Sequence, residues 1–280
     1  MVVLVTGASG QLGQALQFIA GNHKIIRFHF ATSSEVDITD KKKLSEVFES
    51  VKPDFCINAA AYTAVDKAES EPDKATSINV DGVRNLAEIC KTFHTTLIHI
   101  STDFVFDGSK NRPYLENDPT NPQSIYGITK RAGETAIESV LKEHFIIRTS
   151  WLYSQFGNNF MKTMLRLSKE RDSINVVNDQ MGTPTNAVDL AEVLIKIIFS
   201  ESKAYGIYHF SNKGKASWYE FAKEIFRINE IDIQVNPIPT ASFPTPATRP
   251  VYSVLNQSKI EDIFGVKIQD WKSALNQTII

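Results

Sequence analysis

Val2-Val3-Leu4-Val5-Thr6-Gly7-Ala8-Ser9-Gly10-Gln11-Leu12-Gly13 is a short apolar run that passes directly into three evenly spaced glycines. A continuous apolar run suits a parallel strand buried on both faces. Gly7, Gly10 and Gly13 then end the strand and open a helix from Gln11 to Ala20. Glycine serves three ends in such a place: a tight turn, close approach of backbone N–H groups to a pyrophosphate, and tight packing of helix on sheet. The spacing is Gly-x-x-Gly-x-x-Gly, and no Gly-Lys-Ser/Thr follows, which excludes a Walker A loop. A glycine-rich turn without a ligand has the same composition; the strand–turn–helix setting favours the nucleotide.

Outward from this unit the chain repeats it. Strands are predicted at Lys24 to Ala31, Phe55 to Asn58, Thr96 to Ile100, Phe145 to Thr149 and Ile174 to Asn178, with helical stretches between them. Asp66 to Glu71 reads as a charged loop and Ala75 to Phe93 as a helix carrying Asn79. Such alternation predicts an α/β fold, a Rossmann-type doubly wound parallel sheet. Residues 1–178 form the predicted dinucleotide-binding domain. Residues 179–280 read mainly as a small C-terminal substrate-binding lobe, although Gly206 to Phe210 reads as a strand returning to the main sheet. The remaining pieces, a helix at Trp218 to Arg227, a Pro-rich connection from Pro237 to Pro250 and a short last helix, are too few for a core of their own.

Composition narrows the function. A chain of 280 residues with a net charge of −2 has no bulk attraction for nucleic acid or an anionic membrane, so local groups must hold any anionic ligand. Its first residues lack the basic start and cleavage site of a signal peptide, and no apolar run is long enough to span a bilayer, so a cytoplasmic protein is expected. Cys56 and Cys90 have no CxxC spacing and read as packed, reduced thiols. The six histidines form no HxxH or HExxH pattern, and Gly7-Ala8-Ser9-Gly10-Gln11 is not a nucleophile elbow; zinc and serine-hydrolase chemistry fall away.

The chemistry-bearing residues cluster at predicted strand ends. Tyr126 and Lys130 lie four apart on a helix and share a face, so a phenol and an ammonium can meet one ligand. A cation stabilises the phenolate and brings proton transfer closer to neutral pH. Thr102, in Ser101-Thr102-Asp103 at the end of the fourth strand, offers a hydroxyl to the same oxygen. Ala59, Ala60 and Ala61 leave space at the end of the third strand, where ligands of open α/β sheets lie. At the tip of the second strand, Thr32-Ser33-Ser34 would tolerate a 2′-phosphate while Glu35 could bind a free ribose, so NADH and NADPH both remain open. Asp37 either faces the adenine side of the cofactor or caps the helix that follows.

Taken together, these motifs resemble the extended short-chain dehydrogenase/reductases, and within them the dTDP-4-dehydrorhamnose reductase family. The residues that carry the likeness are Gly10 to Gly13, Asn58 to Glu69, Ser101 to Phe106 and Tyr126 to Lys130, continued by Arg148 to Trp151, Asn158 to Phe160, Asn178 to Thr185 and Pro246 to Pro250. The resemblance implies hydride transfer from NADPH or NADH to the C4 ketone of a dTDP-6-deoxy-hexulose, with Thr102, Tyr126 and Lys130 catalytic. It implies cofactor contacts at Gly7, Gly10, Gln11, Leu12, Gly13, Asp37, Ile38, Ala59, Ala60, Ala61 and Thr63, with Tyr126 and Lys130. Val65, Asp103 and Trp151 map to the sugar pocket, and Arg249 and Asn159 to the diphosphate. Core packing is the competing account of Trp151, and a surface ion pair that of Arg249.

Two positions depart from the family pattern. Phe104 replaces a tyrosine, which keeps the bulk of the ring. Ala15 stands where some members carry a glutamate that helps bridge a dimer through magnesium, and the tail Asn276 to Ile280 has no acid. A homodimer is allowed; a metal is not expected. Competing readings are a reductase or epimerase of a different nucleotide-activated keto-sugar, and a non-catalytic dinucleotide-binding regulatory subunit. The joint presence of Thr102, Tyr126 and Lys130 speaks against the last.

Overall fold

Six parallel strands form the sheet on which the site rests. The computed structural model describes residues 1–278, and Ile279 and Ile280 of the tail noted above lie outside the described residues. In chain order the elements are β1 (Val2–Thr6), α1 (Gln11–Ala20), β2 (Arg27–Ala31), α2 (Lys41–Val51), β3 (Phe55–Asn58), α3 (Val65–Ala68), α4 (Pro72–Thr76), α5 (Val83–Thr92), β4 (Thr96–Thr102), α6 (Ile125–Val140) and β5 (His144–Thr149). They continue with β6 (Leu152–Tyr153), α7 (Phe160–Leu167), β7 (Ser173–Val177), β8 (Met181–Gly182), β9 (Thr185–Asn186), α8 (Ala187–Phe199) and β10 (Gly206–His209). The last are β11 (Ala216–Ser217), α9 (Trp218–Ile228), β12 (Gln234–Ile238), α10 (Ser258–Phe264) and α11 (Trp271–Asn276).

The sheet runs β2-β1-β3-β4-β5-β10. Strand order reverses between β1 and β3, which opens a crevice at the carboxyl ends. Side chains alternate across the strands with period two. Val3, Val5, Ile57 and Ile147 pack with Leu16 of α1 and Leu190 and Leu194 of α8 on one face. Leu4, Cys56, Leu97 and Ile146 pack with Phe48 of α2, Leu86 of α5 and Ile137 of α6 on the other. Cys56 and Cys90 are buried and unbonded.

Three features differ from the sequence reading. The strand expected at Ile174 to Asn178 forms, but it stays out of the main sheet and pairs in parallel with β12. Pro237 sits in that ribbon, where a missing N–H is tolerated because an edge is free. Second, the C-terminal pieces complete their core with residues from earlier in the chain. Phe221, Ile225, Phe226 and Trp271 bury against Tyr153, Met161, Met164 and Ile174, which come from before residue 178. Third, the expected loop at Asp66 to Glu71 is largely α3 and the approach to α4, and the helix expected from Ala75 begins at Pro72. A π-helical turn, Ser77–Gly82, joins α4 to α5. No helix among the described residues is long and apolar enough to cross a membrane.

Candidate active site

The glycine loop lies at the mouth of the crevice. Gly7 has φ +70°, and a Cβ there would come within 2.6 Å of the Ala59 and Ala60 backbone, so only glycine lets the first and third strand ends close together. Gly10 is the N-cap of α1 and offers no capping side chain, and the first turn holds no acid. The leading N–H groups of Gln11, Leu12 and Gly13 thus face the crevice without a side-chain acceptor. A cradle of small residues backed by a ten-residue helix fits a dinucleotide pyrophosphate. Ala59, Ala60 and Ala61 are half-buried beside it, and Thr63 is exposed. Ile38 is buried in the core and packs on Gly82. Asp37 is exposed and accepts from the N–H and hydroxyl of Thr39 at 2.9 and 2.8 Å. The helix cap that Asp37 could have supplied comes from Asp40, which accepts from the Lys43 N–H.

β4 carries Thr102 to the same edge, and α6 returns with Tyr126 in its first turn. The return is close: a Cβ on Gly127 would sit 2.3 Å from the Phe104 carbonyl oxygen. Ser124 caps the helix by accepting from the Gly127 N–H. Phe104 lies edge-on to the Tyr126 ring, 5.5 Å between centroids, so the ring that replaces the usual tyrosine holds the phenol from the side. Burial pushes the Tyr126 phenol up to about 12; the Thr102 hydroxyl pulls it back and the Asp103 carboxylate adds to the rise. Lys130 Nζ donates to the Ile100 carbonyl at 2.7 Å and lies 3.2 Å from His99 Nε2. Burial lowers it to about 8 against the pull of Glu134. Beneath, Arg148 of β5 makes a two-pronged bond to Glu134, 2.9 and 2.7 Å, and Ser101 donates to the same carboxylate. This buried ion pair ties α6 to the sheet directly below the site.

Behind the pair, the π turn gives Asn79 an unusual position. Its side chain accepts from the Tyr62 N–H and donates to the Tyr62 carbonyl and the Thr129 hydroxyl. It thereby fixes the segment after β3 against α6, between Tyr126 and Lys130. Single π turns recur at functional sites because they redirect one side chain out of the helical repeat.

The remaining expected residues are not all brought together. Asp103 is 2 % exposed and its Oδ2 has no hydrogen-bond partner, a strained arrangement for a carboxylate that burial raises to about 6. Val65 starts α3, half-buried. Trp151 follows β5 with φ +46°, a conformation uncommon for a large residue, and stacks flat on Trp218 at 3.5 Å. The ring is half-buried, and Gly182 also lies against it, where an added Cβ would come 2.5 Å from the indole. The Asn159 oxygen caps α7 through the Lys162 N–H, and its amide donates to Gln11 Oε1 and to the Ser154 and Phe156 carbonyls. These contacts hold the start of α7 against the glycine loop. Arg249 does form an ion pair, with Asp66 at 3.0 and 2.7 Å, and also borders a cleft of about 700 Å³ lined by Phe160, Thr163, Trp218, Phe243 and Thr245. Two site residues were missed from the sequence, His99 and Trp218. A lone histidine in an apolar strand and a tryptophan at a helix start carry no local pattern; their roles come from partners distant in the chain.

A family model described as the RmlD substrate binding domain matches residues 1–280. The chain belongs to the RmlD substrate-binding domain family. Among relatives of this family chain is a dTDP-4-dehydrorhamnose reductase of Aggregatibacter actinomycetemcomitans, 44 % identical over 98 % of this chain and 96 % of the relative. The crystal structure of a dTDP-4-dehydrorhamnose reductase from Clostridium acetobutylicum superposes with a TM-score of 0.94 at 43 % identity, covering 99 % of this chain and 98 % of that one. That of a dTDP-4-dehydrorhamnose reductase from Bacillus anthracis in complex with NADP gives a TM-score of 0.95 at 40 % identity, covering 99 % and 97 %. The RmlD family and the Rossmann-type fold expected from the motifs are thus both shown.

Proposed function

We propose that this chain is a dTDP-4-dehydrorhamnose reductase that reduces the C4 ketone of dTDP-4-dehydro-6-deoxy-L-mannose to give dTDP-L-rhamnose, for deoxysugar and surface polysaccharide synthesis. The observation that carries the reading is the convergence of Thr102, Tyr126 and Lys130 on the carboxyl edge of the sheet, beside the Gly7–Gly13 cradle. Relatives of closely similar length bear that name, and one is solved with NADP. When bound, NADPH or NADH supplies the hydride. Gly7, Gly10, Gln11, Leu12 and Gly13 would hold its pyrophosphate through backbone N–H groups, with Ala59, Ala60, Ala61 and Thr63 alongside and Asp37 and Ile38 toward the adenine.

In this reading Thr102 donates to the ketone oxygen and orients it. Tyr126 gives that oxygen a proton as the negative charge develops, and Lys130 holds the ribose next to the nicotinamide and favours the phenolate. Val65, Asp103 and Trp151 border the sugar. Asp66 engages the end of the Arg249 guanidinium through Nη1 and Nη2, which leaves the Nε edge for a phosphate oxygen. The aromatic cleft beyond Arg249 suits the nucleoside. The main sheet then serves the cofactor, and the lobe built largely from residues after 178 serves the sugar nucleotide. An alanine at position 15 offers no metal ligand, and a homodimer in this reading draws no bridging ion from that position. The setting is cytoplasmic, where nucleotide sugars and reduced nicotinamide are made.

The test is absorbance at 340 nm with freshly prepared dTDP-4-dehydrorhamnose, NADH and NADPH run in parallel. Loss of absorbance that requires the sugar is expected. No loss with either cofactor, in protein that binds one of them, overturns the assignment.

A further inference from the structure

His99 lies in the middle of β4, fully buried, and touches a polar group at each ring nitrogen. Its Nδ1 is 3.0 Å from Asn58 Nδ2, and its Nε2 is 3.2 Å from Lys130 Nζ. The orientation of the Asn58 amide follows from its other contacts. Its Oδ1 accepts from the backbone N–H of Ala60 at 3.1 Å and from the Thr6 hydroxyl at 2.7 Å. A backbone N–H can only donate, so turning the amide over would set an NH₂ against it. The NH₂ of Asn58 therefore faces His99, whose Nδ1 must present a lone pair. A neutral imidazole with an unprotonated Nδ1 carries its proton on Nε2, and that N–H points at Lys130. Only an unprotonated amine can accept it; an ammonium would meet it hydrogen to hydrogen.

We propose that His99 is a positioning residue that weakens the hold of Lys130 on its proton while the cofactor site is open, and that Lys130 takes up a proton from solvent when the cofactor binds. The inference rests on the reading of Lys130 as the residue that meets the nicotinamide ribose. Ribose hydroxyl oxygens arriving there can accept from Lys130, and in that role they favour the ammonium that His99 opposes.

The charged and titratable groups around the pair act in both directions. Tyr126 and Glu134 share α6 with Lys130, and Glu134 is already paired with Arg148 of β5. Asp103 follows β4 and acts on Tyr126. His144 of β5 acts on His99, and the π turn presents a neutral amide, Asn79, to Thr129. Burial, then the charge of Lys130, then His144 hold the His99 imidazole well below its ordinary value, so it stays neutral across the working range. With Lys130 lowered to about 8, the free enzyme is already protonated there at pH 6.5 and largely unprotonated at pH 9. Uptake therefore belongs to the alkaline side.

The first measurement is the ¹⁵N imidazole spectrum of the cofactor-free protein, where His99 is expected as the Nε2–H tautomer from pH 6 to 9. An Nδ1–H tautomer overturns the proposal without any reference to catalysis. The second is calorimetric titration with NADPH in two buffers of different ionisation heat. Uptake of at least about half a proton per site is expected at pH 9 and less than about a fifth at pH 6.5, from the difference between a value near 8 and the ordinary lysine value. Asn58→Asp offers Nδ1 an acceptor, inverts the tautomer and gives Lys130 a lone pair to donate to, so uptake at pH 9 should fall clearly below that of wild type. His99→Gln, which can also present an acceptor, should move the same way. Uptake unchanged in Asn58→Asp with the tautomer inverted, or absent in wild type that binds NADPH, overturns the inference. Failure of wild type to bind either cofactor would instead sink the proposed function.

Discussion

Replacing Tyr126 with phenylalanine removes one hydroxyl and leaves the Phe104 edge contact in place. The variant is therefore expected to fold and to bind NADPH as wild type does, while turnover falls by about 10²–10⁴, the usual loss on removing a general acid. Steady-state rates beside a cofactor-binding isotherm check this, and wild-type turnover would remove Tyr126 from the proton transfer. Asp103 gives a prediction of opposite sign for stability. Its folded-state value is raised to about 6 from 3.8, so the native protein binds the proton more tightly than the unfolded chain. Stability associated with this group is present at acid pH and is lost as pH rises through 6. Asp103→Asn should accordingly stabilise the ligand-free protein by about 1–3 kcal/mol at pH 8, a gain that shrinks toward pH 4. Urea unfolding at both pH values decides it. A carboxylate kept where it destabilises the fold is consistent with a place in the sugar pocket.

At the level of elements, the π turn and the helix across from it are closely matched. A Cβ on Gly133 would sit 2.2 Å from the Asn79 carbonyl oxygen, so α6 can approach the turn only where the side chain is absent. Gly133→Ala should push the two apart, cost about 1–3 kcal/mol as overpacking does, and weaken cofactor binding by loosening the Asn79 bonds to Tyr62. Thermal unfolding and the NADPH dissociation constant test the two effects separately; a stable variant with unchanged affinity contradicts the role given to Asn79. The sequence reading placed Asn79 on a helix without seeing the π turn. One inserted residue changes no composition and leaves the apolar period on either side intact. β1 and α1 were legible because glycine spacing and apolar runs are local signals. The β7–β12 ribbon was not, because pairing between segments some sixty residues apart leaves no periodic trace.

For the whole molecule, polar contacts across long stretches of chain tie the site's parts together. Gln11, in the cofactor loop, donates to the Leu152 carbonyl and accepts from Ser154 and Asn159. Arg249 reaches Asp66 across 183 positions of chain. The motifs that name the site could be read directly, since each occupies a few adjacent residues. The Asp66–Arg249 pair, the Trp151–Trp218 stack and the His99–Lys130 contact could not, since each exists only after folding. Arg249→Lys keeps the charge and loses the fork that Asp66 grips. The Michaelis constant for the dTDP-sugar should rise about tenfold, the effect of one charge-assisted bond, with the NADPH dissociation constant unchanged. Equal losses for both ligands would instead point to general loosening of the lobe.

The placement of β10 bears on how the chain is made. β5 is bonded to β4 on one side and to β10 on the other, and β10 ends at residue 209. A ribosome must therefore add α7, β7 and α8 before the outer edge of β5 finds its partner. Until then Phe145, Ile146 and Ile147 present an apolar strand with open backbone groups, the kind of edge on which two nascent chains pair. A polypeptide stopped at residue 178 would remain at that stage. It should scatter light at micromolar concentration, and a synthetic peptide of residues 204–210 should suppress the scattering. The stage at which this protein is most exposed to aggregation is thus its own synthesis, in the interval between the emergence of its fifth strand and its tenth.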